Sequence, residues 1–489
     1  MTSATASTHE QHERSPSKTL VRIALAVALA SVVAVAAFFV VRVTGSGASL
    51  KSELEDEFAG AYPAEPVGGG EVIDIELVAA PATIEIIDQP TDVWAYNGTV
   101  PGPALRAALG DTVRITVRND LPASTTIHWH GIRVPNDMDG VPGVNQTHIE
   151  PGDTFVYEFT PPDAGTFWYH SHTNGSEQLE RGLYGSIVID EPPTANPDTY
   201  AQDVVWVIDD WLLTEDAQLD PDFDTAADRT HNGRWGNVIT VNATLGETLE
   251  AQPGERIRLR LINASNGRAY TLDFGKLEAN LVAVDGLTVG EVGDAAGLVL
   301  APGNRADVDI TLPATPGTYV VNDTFVGTPQ PLATIVVQGE TAADSSFAPT
   351  TNDNVPDWAA AAEAEIDQEL IFETSNRDGE WVWTINGEVF GEHTPVEVTE
   401  GEFTKIKLTN QTHPMHPIHL HGQFFKVLSR NGEPVDEPYF RDTVLLNMLD
   451  EVEIGMVPLD VGDWVLHCHI QEHAEAGMMT VMTVTPAAD

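Results

Sequence analysis

A pattern of glycine, an acidic residue, a short alternating run and an asparagine occurs three times in the 489-residue chain: Gly110-Asp111 to Asn119, Gly254-Glu255 to Asn263, and Gly401-Glu402 to Asn410. In each copy the glycine and the asparagine are nine positions apart, and successive copies start 144 and 147 residues apart. Between them apolar and charged residues alternate, as in Arg258-Leu259-Arg260-Leu261, which predicts a half-buried strand bounded by turns. A chain written this way has to fold as three similar units. Beyond about residue 71 it consists of short β-branched and aromatic runs separated by Gly, Pro, Asn and Asp, as in all-β sandwich proteins. The spacing predicts domains at 71–190, 201–340 and 367–489, with a linker at 341–366 that has room for one short helix at 359–365.

The repeat also sorts the histidines. His128 and His130 lie nine and eleven residues past the first asparagine, and His419 and His421 stand at the same offsets in the third copy. The second copy has Leu272 and Phe274 there. Five residues after a glycine, Gly165 leads to His170-Ser171-His172 and Gly462 to His467-Cys468-His469, whereas Gly317 leads to Asn322-Asp323-Thr324. One His-x-His pair is weak as a signal, but four at matching offsets point to metal sites in the outer domains. The middle domain is expected to be a spacer with the same scaffold and no ligands.

Cys468 is the only cysteine, so it has no internal disulfide partner. It is followed by His473 five residues on and Met478 ten residues on. A thiolate, two imidazoles and a weak axial thioether make a blue-copper site. The missing imidazole has to come from the neighbouring repeat strand, where His416 is the best candidate, giving the set His416, Cys468, His473 and Met478. In a strand, residues i and i+2 share one face and i+1 takes the other. His467 and His469 are therefore expected to turn away from Cys468 towards a second site. The eight paired histidines suit three coppers there, and ten histidines with a thiol and a thioether exceed what a catalytic zinc uses. A single cysteine excludes an iron–sulfur cluster.

Acidic residues outnumber basic ones 74 to 24, a formal net charge of −50. Such a field repels nucleic acid and favours solubility, including at high salt. Near the N-terminus, residues 23–41 form an apolar run preceded by Arg14, Lys18 and Arg22. It is long enough to span a bilayer as a signal anchor, which would leave 1–22 as a cytoplasmic tail and the body outside. Cleavage after Ser46-Gly47-Ala48 is the alternative and gives a secreted protein. Residues 42–70 are expected to form a flexible tether.

Through the four His-x-His motifs, over roughly residues 71–489, the chain resembles the multicopper oxidases, specifically the three-domain bacterial laccase-like enzymes. The resemblance implies three consecutive cupredoxin-like Greek-key domains and four copper ions. Type 1 copper would be held by His416, Cys468, His473 and Met478, and type 2 by His128 and His419. His130, His170, His172, His421, His467 and His469 would hold the type 3 pair. It also implies one-electron oxidation of a small reducing substrate coupled to reduction of O2 to water, in a monomeric catalytic body. Two acids match family positions: Glu472 as a proton donor and Asp139 as a carboxylate near type 2 copper. Phenols and aromatic amines are the expected donors, and cuprous or ferrous ion in copper tolerance the alternative. The intact ligand set argues against a copper-free scaffold relative, and the third repeat against a two-domain nitrite reductase.

Overall fold

The computed structural model describes residues 50–58, 69–191, 200–342, 349–377 and 379–488. The apolar run at 23–41 lies outside them. Among the described residues no helix is long and apolar enough to cross a membrane.

The described body is built from six sheets, two for each copy of the repeat. In the third domain, the strands Glu380–Ile385, Gln368–Arg377, Thr404–Asn410, Glu451–Met456, Lys426–Arg430 and Glu433–Pro434 form one sheet in that spatial order. Val396–Thr399, Met479–Thr485, Gly462–Cys468, His416–Leu420 and Thr443–Leu446 form the other. The middle domain repeats both orders strand for strand. The first domain keeps the order in two four-stranded sheets but omits three strands. In their place the chain between His130 and Thr154 runs through a single 3-10 turn, Asn136–Met138, and this loop carries Asp139.

The recurring asparagine has a physical reason. Each one ends its strand, donates from its side-chain amide to two backbone carbonyls and accepts from the backbone N–H two residues on. Asn119 bonds Ala123, Ile149 and Leu121; Asn263 bonds Arg268, Leu300 and Ser265; Asn410 bonds Pro414, Asn447 and Thr412. A short polar side chain thus closes the loop that launches the ligand-bearing strand, and it satisfies carbonyls that burial would otherwise leave unpaired. The recurring glycine before the second motif begins the next strand of the sheet, at Gly165, Gly317 and Gly462.

Two expectations are revised. The middle repeat strand, Arg256–Asn263, is buried along its whole length rather than on one face. Its arginines are paired: Arg258 and Arg260 both reach Asp307 on the next strand, and Arg260 also bonds Thr166 of the first domain at 2.7 Å. Burial of charge is tolerable when it is paired in this way. Residues 53–58, assigned from the sequence to a tether, are helical, and Leu54 and Phe58 are buried. The Leu54 carbonyl accepts from the Trp358 indole at 3.2 Å, and Phe58 stacks on that ring at 5.9 Å. Trp358 opens the 3-10 helix Ala359–Glu363, the short helix expected in the linker.

Candidate metal centre

The strand Gly462–Cys468 pairs antiparallel with His416–Leu420, bringing His467 opposite His419 and Cys468 opposite Ile418. The first domain repeats this register, with His128 opposite His170. These two hairpin-like pairs put eight imidazoles into one buried space between the first and third domains.

The donor atoms fall into groups whose members lie within 4.8 Å of one another. Cys468 groups with His416 and His473, whose Nδ1 atoms are 3.6 and 3.7 Å from Sγ and 3.1 Å apart. All three side chains and Met478 are fully enclosed. The far nitrogens are tied off: His416 Nε2 meets Thr412 Oγ1 at 2.8 Å, and His473 Nε2 meets the His231 carbonyl at 2.8 Å. This leaves both Nδ1 atoms to face the thiol. A ligating histidine is commonly oriented through its other nitrogen in this way.

His467 and His469 belong to different groups from Cys468, as alternation along the strand requires. One triad is His130, His170 and His469, and another is His172, His421 and His467. His128 and His419 face each other with Nε2 atoms 3.5 Å apart. Outward nitrogens are anchored here too: His170 Nδ1 by the Ser171 carbonyl at 2.9 Å, His467 Nδ1 by the Cys468 carbonyl at 2.8 Å, and His419 Nδ1 by the Asp442 carbonyl at 3.0 Å. Nε2 of His170, His172 and His469 and Nδ1 of His130 have no hydrogen-bond partner although buried. Each unpaired buried polar atom costs about 1–3 kcal/mol, so four converging on one space mark a place for metal. Burial, with the neighbouring imidazoles adding to it, holds His130, His170, His421, His467 and His469 well below the ordinary histidine range. That shift favours neutral rings, the form that binds a metal. Burial pushes the Cys468 thiol far up, so a soft cation has to displace its proton.

Asp139 joins His128 and His421. Its Oδ2 accepts from His421 Nδ1 at 2.9 Å, and its Oδ1 lies 3.2 Å from His128 Nδ1. Burial raises its pKa, but the two imidazoles outweigh burial and hold the carboxyl well below the usual range. Gly140 makes the approach feasible: at φ +92° a Cβ there would lie 1.9 Å from the Ile127 carbonyl oxygen. Glu472 is fully buried on the short helix Gln471–Glu475, with Oε1 accepting from Asn266 at 3.0 Å. Burial pushes its pKa up to about 7. Its neighbour Gln471 donates to the His469 carbonyl at 3.1 Å, which links this helix to the second space.

Three family models, each described as multicopper oxidase, match residues 79–194, 202–341 and 364–488. The chain belongs to the multicopper oxidase family. It is 29% identical over 477 residues to multicopper oxidase MmcO of Mycobacterium tuberculosis, covering 89% of this chain and 91% of that one. It is 29% identical over 479 residues to a laccase of Cryphonectria parasitica, covering 81% and 79%. A multicopper oxidase structure from Pseudomonas thermotolerans superposes with a TM-score of 0.75 at 32% identity, covering 85% and 99%. One from Campylobacter jejuni, described as a metallo-oxidase, gives 0.70 at 25% identity, covering 87% and 94%. As a family member the protein is a copper-dependent oxidoreductase that uses O2, with one type 1 copper, one type 2 copper and a type 3 pair.

The middle domain of this oxidase does more than space the ends apart. Arg305, wholly buried, holds Asp442 through two hydrogen bonds of 2.9 and 2.5 Å, and its main-chain N–H donates to Asp285 at 3.0 Å. Asp442 in turn lies 3.4 Å from His419 Nδ1 and 3.5 Å from His130 Nε2. Asp442 therefore stands beside the second space and not beside the Cys468 group. Gly303, from the same middle-domain turn, packs so closely that a Cβ would come 2.9 Å from the His469 ring and 3.0 Å from the His130 ring. The His231 carbonyl touches the other site, where the Asn232 side chain also accepts from Met415 N–H at 3.0 Å. Arg305 and Asp285 carried no sequence signal, since neither stands at a repeat offset shared with the ligands. Met415 packs in the third-domain core. His148, His231 and His413, which lie outside the paired offsets, are exposed, and His393 is half-buried.

Proposed function

We propose that the protein oxidises phenolic or aromatic-amine donors one electron at a time and passes the electrons to O2. In this reading His416, Cys468, His473 and Met478 hold type 1 copper, His128 and His419 hold type 2, and the triads His130/His170/His469 and His172/His421/His467 hold the type 3 pair. The observation that carries it is the division of one tripeptide: Cys468 turns into one donor group while His467 and His469 turn into two others. Bound in these groups, copper supplies single-electron acceptance at type 1 and four-electron reduction of O2 to two waters at the cluster.

The chain's own residues do the rest. Neutral imidazoles present lone pairs without having to lose protons first. The Cys468–His467 and Cys468–His469 backbone is the shortest covalent link between the two groups, so electrons cross there. Glu472 retains a proton near neutral pH and supplies it for water formation, and Asp139 orients His128 and His421 through their Nδ1 atoms. Glu472→Gln should keep the blue colour and still accept electrons, but be reoxidised slowly by O2; unchanged turnover with O2 limiting would remove Glu472 from the mechanism.

One observation favours a cuprous donor as a second reading. The exposed His413 has its Nδ1 3.2 Å from Met448 Sδ, a pair of donors suited to Cu(I), on the loop next to Thr412. Turnover with a phenol and with Cu(I), each with and without added Cu(II), separates the two. The catalytic body acts as a monomer on the extracytoplasmic side, anchored by residues 23–41 or released by cleavage near Ala48; the support is the basic residues ahead of that apolar run.

A further inference from the structure

Both imidazoles of the type 1 group are fully enclosed, and each has its far nitrogen engaged by protein, one by Thr412 and one by the His231 carbonyl. A donor molecule therefore cannot touch either ring, and electrons have to enter through a neighbour. Trp383 is that neighbour. Its ring lies 4.3 Å from His473 and 5.0 Å from His416, centroid to centroid, and its indole N–H is fixed by the Arg229 carbonyl at 2.6 Å. Trp383 is itself buried, 3% exposed. Two residues earlier on the same edge strand, Glu380–Ile385, stands Trp381. Residues two apart share a strand face and are about 7 Å apart along it. Trp381 is 57% exposed, and it is the one aromatic among the large exposed apolar side chains of the described residues.

We propose that Trp381 is a surface docking and electron-entry residue for phenolic donors, with Trp383 carrying the electron from it to the type 1 histidines. The proposal deepens the phenol-oxidase reading and rests on it. An exposed indole on a sheet edge offers a flat face on which a phenol ring stacks, and it asks nothing of the size of whatever is attached to that ring. The net charge of −50 favours neutral over anionic donors. In each event a phenol group gives up one electron and its hydroxyl proton and becomes a phenoxyl radical. The electron passes by way of Trp381 and Trp383 to the type 1 site, the proton goes to solvent, and O2 takes up four such electrons with four protons to give two waters.

The test uses one methoxyphenol in two forms, free and as the end group of a long neutral polyethylene glycol chain. With the copper-loaded enzyme, Trp381→Ala should lower kcat/KM for the tethered phenol about ten-fold, the effect of losing one aromatic stacking contact. The value for the free phenol should fall as well, since it has no access to the type 1 rings either, and Trp381→Phe should recover most of the loss for both. In the copper-free protein, the tethered phenol should quench part of the tryptophan emission, and that part should be missing in Trp381→Ala. No loss for either donor, or the same quenching in the alanine variant, would overturn the proposal. If wild type fails to oxidise even the free phenol, the phenol-oxidase reading falls; the copper-free emission still decides whether Trp381 binds the phenol ring.

Discussion

Replacing Arg305 with methionine tests the middle domain's part in the metal centre. The substitution keeps an apolar stem of similar length and removes the guanidinium that is bidentate to Asp442 and beside Asp285, both carboxylates being at most 1% exposed. Removing one partner of a buried ion pair costs about 3–5 kcal/mol, because the other charge is left behind. The copper-free variant should lose about that much stability in urea unfolding at pH 7. Asp442 holds the Thr443 hydroxyl at 2.8 Å, and Asp442 O and Thr443 Oγ1 both meet His419 Nδ1. The type 2 electron-paramagnetic-resonance signal should therefore weaken, while the blue absorption persists, since no Arg305 contact reaches His416 or His473. Arg305→Met combined with Asp442→Asn should regain part of the stability by removing an unpaired charge. A loss below about 1 kcal/mol, the value of an exposed pair, with an intact type 2 signal would refute the account.

Further outcomes follow from the same geometry. Glu472 has a raised folded-state pKa of about 7, so its ionisation destabilises the copper-free fold above that pH, and the penalty is relieved as pH falls from about 7 towards the ordinary glutamate value of about 4.3. Copper-free Glu472→Gln should thus exceed wild type by about 3 kcal/mol at pH 8 and lose that advantage below about pH 4.5, as read from urea midpoints across pH. Asp139→Asn leaves His421 and His128 without their carboxylate and should slow O2 reduction by about 10- to 100-fold, the usual range for a residue that orients metal ligands, without altering anaerobic reduction of the blue centre. Asn410→Ala leaves the Pro414 and Asn447 carbonyls without their shared donor; it should cost about 1–3 kcal/mol in thermal or urea unfolding, and the matching change at Asn119 or Asn263 should cost a similar amount.

The repeat was legible because its glycine and asparagine do local work: one begins a strand and the other staples a loop, and both act at fixed sequence distance. The ligands were legible for the same reason, since a strand periodicity of two separates Cys468 from His467 and His469. A second threefold device went unread. Asn97, Asn242 and Asn386 each turn the chain at positive φ and bond two backbone groups of the strand paired with the one they follow. Arg305, Asp285 and the His231 carbonyl escaped for another reason. Their contacts with the metal centre are interdomain, over 130 residues in sequence for Arg305 to Asp442, and no periodicity encodes such pairs. The helix at 53–58 was hidden by its acidic, Gly-flanked context, because what fixes it is the distant Trp358 rather than its own amphipathic pattern.

The most direct test of the central claim is an absorption spectrum of the purified protein together with metal analysis. The account predicts an intense thiolate-to-copper band in the red, close to four coppers per chain, and loss of that band alone in Cys468→Ser with the cluster coppers retained. A single copper per chain, zinc in its place, or a blue band that survives removal of Cys468 would contradict it.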